Sequence, residues 1–545
     1  MCSSAVRRQI LPAAAALGLS TTAFFGYLCL LNSPTHLVLY HIDQAASTVF
    51  LPVIIDTLLL ATLCLAALIA AQHCTRFHRI LWSLIISIFP VLALRSIATA
   101  TGISLPFALK LSMVAFPALT AVVLLLFRSP AVDRAFHKFQ SFTETLLAAI
   151  GIVGVIVLLQ TAWFAVQASH LNDQRVANTI APHIANRPRQ RVVWIVFDEL
   201  AYRQLYGQRL PGLALPAFDQ FRAESTVFSD VQPAGISTDI VLPALITGHP
   251  VDEIRASPQG WLLVHNKTGW RPFNQRDTVF ADADSLGYVT SVVGWYNPYC
   301  RLLPAVLNSC FWTNHSGRLG LFPDQTFLQT VLGLLTNFVH QANIFSRDQR
   351  RSPAELRNAS DHIHDFTALD NAADAALDNQ NETFILLHMP VPHPNGIWDR
   401  RTGRFATDHS AYVDNLALAD LYLAHVRQIL TSDGQWDNTT IVIEGDHGWR
   451  TRQLWLNSPA WSSEDTAASD GGSFDPRPAL IVKLPNQHIS SQIDTAFAAT
   501  RTRPLLDELL ERRITNPNQL EHWACCETQG ASAMQPAHGH FSPPT

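Results

Sequence analysis

Residues 441–450 read IVIEGDHGWR. Ile441, Val442 and Ile443 form a β-branched apolar run, the pattern of a buried strand. The run ends in Glu444 and Gly445, then Asp446, His447 and Gly448. Glycine and aspartate are common in surface turns. An acid and an imidazole at a strand's carboxyl end also suit a site, because open α/β sheets carry their chemistry along that edge. A second stretch, RVVWIVFDEL at 191–200, repeats the pattern: an apolar strand ending in Asp198 and Glu199. In a parallel sheet both ends point to one edge. Two carboxylates and an imidazole gathered there suit a divalent cation, zinc or manganese more than calcium.

The surrounding chain supports a parallel sheet. LGYVTSVVGWY (286–296), TFILLHMP (383–390) and PALIVKLP (478–485) also have strand character. HSAYVDNLALADLYLAHVRQILTSDG (409–434) has the period of a long amphipathic helix, directly before the GDHG strand. Strands alternating with helices predict a mainly parallel sheet covered on both faces. FLQTVLGLLTNFV (327–339) is too short to cross a bilayer. It suits a core helix or a helix lying on a membrane surface.

Composition divides the chain. Of 545 residues 48% are hydrophobic and only 15% charged. The deficit of charge is concentrated before residue 170, where five apolar runs fall at about 10–31, 48–71, 80–99, 106–127 and 143–168. Roughly 20 apolar helical residues span a bilayer core, so five transmembrane helices are expected. The first run resembles a signal peptide but is long and lacks a clear small-residue cleavage site, so it is expected to be retained. Arg7, Arg8, Arg76, Arg79, Arg128, Arg134 and Lys138 all fall on one side if the amino terminus is cytoplasmic. The expected protein is a multi-pass inner (plasma) membrane protein with its carboxyl-terminal domain periplasmic or extracellular. Its expected divisions are a membrane domain over 1–170, a linker over 171–190, a catalytic domain over 191–522 and a disordered tail over 523–545. Cys300 and Cys310 then lie in an oxidising compartment, where a disulfide is the natural state. A net charge of −5 without a basic–aromatic stripe argues against nucleic acid as a partner.

Between the two acid-bearing strands lies GISTDIVLPALITGHP (235–250). Ser237 and Thr238 open a helix-like run, as ordinary N-caps do. A hydroxyl at a helix amino terminus is also well placed for phosphate chemistry. The ordered set VVWIVFDE, STDIVLPALITG, LLHMPVPHP and IVIEGDHG resembles the alkaline phosphatase/sulfatase superfamily. With amino-terminal apolar helices, it most resembles the membrane-anchored phosphoethanolamine and phosphoglycerol transferases. The resemblance covers roughly 191–490. It implies metal ligation by Asp198, Thr238, Asp446 and His447, with Glu199 where sulfatases have a second acid. Thr238, ten residues before Gly248, matches the nucleophile. His388 and His393 match a histidine pair facing the transferred group or a second metal.

Departures from the pattern narrow the chemistry. Asp239-Ile240-Val241-Leu242 supplies neither the proline nor the arginine that formylglycine formation needs. Gly294-Trp295-Tyr296-Asn297 stands where sulfatases have a lysine- and histidine-bearing element. The stretch after His447 offers no further histidine for a second zinc. The resemblance therefore implies a phosphotransferase holding one divalent ion, moving a head group from a membrane lipid to a glycan or lipid acceptor through phospho-threonine. A sulfatase-like hydrolase, with water as acceptor, and a catalytically inactive membrane sensor or scaffold are the alternatives.

Overall fold

The computed structural model describes residues 2–33, 46–101, 107–126, 129–170, 190–256, 262–314, 326–341, 353–407, 412–458 and 461–526. The chain forms two compact units. One comprises Met1–Asp173, Arg255–Leu262 and His315–Asp361; the other comprises Gln174–Ile254, Leu263–Asn314 and His362–Thr545.

The first unit is helical. Among the described residues, Ser47–Gln72, Thr75–Ile97 and Pro130–Gln167 are long and apolar enough to cross a membrane. Ile10–Ala23 and Phe25–Leu31 make a fourth if the pair, bent by 73°, is one span. The expected run at 106–127 forms the helix Phe107–Leu126, whose described apolar part, Ala115–Leu126, is short of a span. Ile152, Leu159 and Phe116 are more than 60% exposed, the inverted pattern of a lipid-facing surface. Small residues let two helices touch at backbone distance: a Cβ on Gly18 would lie 1.9 Å from the Leu147 carbonyl oxygen, and one on Gly151 as close to that of Ala14.

The helix Phe327–Gln341 belongs to this unit. Leu334 is buried with Phe24, Leu28, Val49 and Val53, while Phe327, Leu328 and Leu332 remain exposed. Residues 327–341, expected as a core helix or a membrane-surface helix, thus cluster with the helical unit, as does His315–Asp361 as a whole. The apolar periodicity is real, but it is satisfied by the helical bundle.

The second unit is built on an eight-stranded sheet. Its strands are β1 (Val192–Phe197), β2 (Thr226–Phe228), β3 (Thr290–Trp295), β4 (Ser309–Thr313), β5 (Phe384–Met389), β6 (Thr440–Gly445), β7 (Leu480–Lys483) and β8 (Ser491–Ile493). Their order is β8-β2-β7-β6-β1-β5-β3-β4. Every pairing is parallel except those of β7, which runs against both β6 and β2. Side chains alternate across a strand, so β1 feeds two cores. Val193, Ile195 and Phe197 pack with Leu369 and Tyr422 on one face. Val192, Trp194 and Val196 pack with Val241, Leu245 and Leu506 on the other.

In the central register Val196 lies opposite both His388 of β5 and Glu444 of β6. One residue on, Phe197 faces Gly445, so Asp198 and Asp446 leave the sheet side by side. The Cys300–Cys310 disulfide is present, with its Cα atoms 5.6 Å apart, and ties the short helix Tyr299–Leu302 to β4. The helix Pro517–Cys526 overruns the tail expected from 523, because Trp523 and Ala524 are buried in the second core. Most of the expected linker, 171–189, and the rest of the tail, 527–545, lie outside the described residues.

Candidate active site at the carboxyl edge of the sheet

The two glycines of GDHG are steric requirements. A Cβ on Gly445 would lie 2.1 Å from the Leu200 carbonyl oxygen, and one on Gly448 2.3 Å from that of Asp475. Only glycine lets the chain after β6 pass this close to its neighbours. Asp446 then spends one carboxylate oxygen on the scaffold: Oδ1 accepts from the backbone N–H of Glu199 (2.9 Å) and of His447 (2.7 Å). Its Oδ2 is buried with no partner among the described residues.

Asp198 divides its oxygens in the same way. Oδ2 accepts the Thr238 hydroxyl at 3.0 Å, and Oδ1 is buried without a partner. Thr238 is the first residue of the helix Thr238–Thr247, which ends at Gly248 with φ +69°, the left-handed geometry of a helix stop. Ser237 holds the N-cap place, but its hydroxyl goes to Asp239 rather than to the helix. The Thr238 hydroxyl is thus free of capping duty and lies 3.5 Å from His447 Nε2. His447 Nδ1 lies 3.1 Å from the Gly448 carbonyl; donation there fixes the tautomer and leaves Nε2 with a lone pair. That Nε2 is 3.3 Å from Asp446 Oδ2 and 3.9 Å from Asp198 Oδ1.

The electrostatics are those of a cation pocket. Burial, then the charge of Asp446, pushes the Asp198 carboxyl well above its ordinary range. Burial raises Asp446 as well. Burial, then Arg450, lowers His447 to about 4, so its imidazole is neutral. One ligand atom each of Asp198, Asp446 and His447 lies within 4.8 Å of the other two, and each carboxylate keeps one buried oxygen without a hydrogen-bond partner among the described residues. The donors present therefore fit a divalent ion held by Asp198, Asp446 and His447, with the Thr238 oxygen adjoining.

Glu199 has a different position from a plain ligand. It sits in the left-handed region at φ +63°, a conformation costing a residue with a Cβ roughly 1–2 kcal/mol. Its backbone is held by Asp446 and by the Tyr412 hydroxyl, which donates to its carbonyl at 2.7 Å. Its carboxylate accepts from Trp455 Nε1 at 3.1 Å and from the Arg450 guanidinium. One of its oxygens also groups with Asp198 and His393 within 4.8 Å.

The histidine pair flanks this centre. His388 is fully buried; its Nδ1 lies 2.8 Å from the Tyr299 hydroxyl, and its Nε2 has no partner. Tyr299 reaches it because position 294 is glycine, where a Cβ would meet the tyrosine ring at 2.3 Å. His393 is half-buried, edge-on to Trp295 and Trp455, and its Nδ1 has no partner. Burial lowers His388 to about 4 and, with Arg450 beside it, drives His393 well below its usual value. Both imidazoles are neutral, which favours hydrogen bonding to a transferred group over protonating a leaving one.

Sequence reasoning brought Asp198, Thr238, Asp446 and His447 together, and the structure places them so. It missed Arg450, Trp455, Tyr299 and Asn297, whose amide donates to the Thr238 carbonyl at 3.3 Å. Two of them carried a signal: Arg450 closes the stretch IVIEGDHGWR, three residues after His447, and Asn297 closes the stretch that stands where sulfatases have a lysine- and histidine-bearing element.

A family model described as Sulfatase matches residues 190–477, more than half of the chain, and the chain belongs to that family. It is a sulfatase-like enzyme. No curated protein matches it. Solved structures similar to it include Ps i-CgsB bound to a neocarrahexaose, at 17% identity, covering 62% of this chain and 75% of that one with a TM-score of 0.38. A phosphonate monoester hydrolase of Agrobacterium radiobacter is similar at 15% identity over 59% and 74%, with a TM-score of 0.38. The lipoteichoic acid synthase LtaP from Listeria monocytogenes is similar at 14% over 59% and 72%, with a TM-score of 0.34.

Proposed function

We propose that this chain is a metal-dependent phosphotransferase that moves a phospho-head group from a membrane lipid to a glycan or lipid acceptor through phospho-Thr238. The observation that carries the reading is the Thr238 hydroxyl. It sits at a helix amino terminus, donates to Asp198, and adjoins two carboxylate oxygens without partners. A bound divalent ion at Asp198, Asp446 and His447 would lower the pKa of that hydroxyl and offset the phosphate charge. One ion of the zinc or manganese class fits the nitrogen and oxygen donors.

In the first half-reaction the Thr238 proton passes to Asp198 Oδ2. Thr238 Oγ1 bonds to phosphorus, and the bond from phosphorus to the lipid alcohol breaks. The lipid alkoxide takes a proton from solvent. His388 and His393, both neutral, donate hydrogen bonds to the phosphoryl oxygens, while Arg450 supplies a fixed positive charge. In the second half the acceptor hydroxyl attacks phosphorus and gives up its proton to solvent, the Thr238 Oγ1–phosphorus bond breaks, and Oγ1 takes back its proton from Asp198 Oδ2. Glu199 serves as the anchor of Arg450 rather than as a principal ligand.

The amino-terminal helices support a lipid-borne donor, since a membrane-embedded enzyme meets such donors at high local concentration. We take all five apolar runs as spans of the inner (plasma) membrane, with the second unit periplasmic or extracellular. The test is incubation of the purified full-length protein with head-group-labelled phospholipid, followed by mass spectrometry of the Thr238 peptide. A phosphorylated head-group adduct on Thr238, and label passing to a sugar, supports the transferase. Label released only to water makes the enzyme a hydrolase. Absence of both adduct and turnover in metal-loaded protein rejects the reading.

A further inference from the structure

The helix Pro353–Asp378 carries two polar residues where its pattern calls for apolar ones. His362, Asp365, Phe366 and Leu369 recur at i, i+3, i+4 and i+7, the spacing of a buried helix face. Phe366 and Leu369 pack in the core with Phe197 and Tyr422, as that spacing requires. His362 and Asp365, on the same face, are only 5% and 2% exposed. Burying a polar group is costly unless it finds a partner, so the partners of these two are informative.

Both reach the carboxyl edge of the sheet. Asp365 accepts from the indole of Trp295 at 3.1 Å and from the hydroxyl of Thr313 at 2.6 Å, the last residues of β3 and β4. The His362 ring stacks on Trp295, with centroids 5.3 Å apart and planes 16° apart. Its Nε2 lies 2.8 Å from the Pro390 carbonyl. A carbonyl only accepts, so Nε2 carries the proton. Burial lowers the pKa of this ring, so it is neutral and Nδ1 is bare. Pro390 follows His388 by two residues and precedes His393 by three. Asn415 holds the far end of this segment, donating to the His393 carbonyl at 2.8 Å. The His393 ring itself sits among Trp295, Trp455 and His362, whose centroid is 5.8 Å away.

We propose that His362 is a positioning residue: its donation to the Pro390 carbonyl fixes the segment that aims the His393 imidazole, and so fixes where the transferred group is held. The inference rests on the assignment of His393 to that group. His362 transfers no proton itself, because its one proton is committed to a backbone carbonyl. Its contribution is geometric. A displacement of about 1 Å at a group that holds the transition state costs roughly 10²-fold in rate.

The test compares full-length, metal-loaded wild type with His362→Phe, which keeps a ring against Trp295 but cannot donate, and with His362→Gln, which keeps a donor. One readout is the rate at which diethyl pyrocarbonate modifies His393, followed by mass spectrometry of its peptide. His393 is half-buried whereas His362, His388 and His447 are buried, so it is the histidine of this group that the reagent reaches. The other readout is turnover of head-group-labelled phospholipid. His362→Phe is expected to label His393 several-fold faster and to lose kcat by roughly 10²-fold with KM little changed, and His362→Gln to return both toward wild type. Wild-type labelling of His393 in His362→Phe overturns the proposal, and so does a His362→Gln variant as impaired as His362→Phe. Faster labelling with unchanged turnover upholds the positioning and removes His393 from the transfer, a failure of the proposed function instead. Should wild type show no turnover, the labelling alone decides. Should His362→Phe elute as an aggregate, His362→Asn, one methylene too short to reach Pro390, decides on the same criteria.

Discussion

At the scale of single residues, Thr238 separates chemistry from architecture. A hydroxyl serving only as a helix cap would cost about 1 kcal/mol on replacement by alanine and leave turnover nearly intact. The Thr238 hydroxyl is instead committed to Asp198. Thr238→Ala is expected to keep its metal, lose the covalent adduct and lose turnover by roughly 10³-fold or more, whereas Thr238→Ser keeps measurable activity. Activity per folded, metal-loaded molecule is the measurement, and near wild-type turnover in the alanine variant would remove Thr238 from the mechanism. Asp446→Asn should fail by another route, through lost metal, visible as reduced metal content after gel filtration. Gly445 makes a purely steric case. Its added methyl would collide with the Leu200 backbone, so Gly445→Ala should lower stability by about 3 kcal/mol, the upper range for overpacking, as read by denaturant midpoint.

At the scale of elements, the site is a meeting of strand ends, one helix start and a buried ion pair. Glu199 is fully buried and Arg450 only 15% exposed. Removing one partner of such a pair leaves an uncompensated charge, at a cost of about 3–5 kcal/mol. Arg450→Gln should therefore unfold at markedly lower temperature, and adding Glu199→Gln should recover much of that loss without restoring turnover. An activity that returned along with stability would reduce Arg450 to a scaffold residue. Elements also explain what could be read in advance. The apolar strands and their terminal Asp198, Asp446 and His447 were legible, because buried parallel strands are continuous hydrophobic runs and their ends are punctuated by polar residues. Arg450 and Trp455 were not, since neither residue type by itself signals chemistry, and their partner Glu199 is some 250 positions away. The direction of β7 was hidden too, as periodicity carries no sign. The helix Phe327–Gln341 shows the same limit: an apolar stripe says that a face is covered, not by what.

At the scale of the whole molecule, metal and membrane set the expected behaviour. A ligand that binds only the folded state stabilises it by about 4 kcal/mol at a thousandfold excess over its dissociation constant. Chelation should accordingly lower the melting temperature of wild type, and lower it less in Asp446→Asn, which has already lost binding at the catalytic edge. Equal shifts in the two proteins would place the stabilising ion elsewhere. Basic residues on one side of the apolar runs predict that a reporter fused after residue 190 is active outside the cytoplasm. Activity only inside would reverse the topology and remove access to an external acceptor.

The division of the chain into units has a consequence for how this enzyme could be shed. The polypeptide passes from one unit to the other after residues 173, 254, 262, 314 and 361. A protease that cuts the 171–190 stretch severs one of these passages and leaves the rest covalent. The helix Phe327–Gln341, seated on Phe24 and Val49 through Leu334, remains as a second mooring. With a cleavable site engineered at 171–190, the sulfatase-like part should stay in the membrane fraction after complete cutting, and its release into the soluble fraction would show the second mooring to be too weak to hold. An enzyme joined to its helical unit by one passage is freed by one nick, whereas five passages leave this one attached after the first cut.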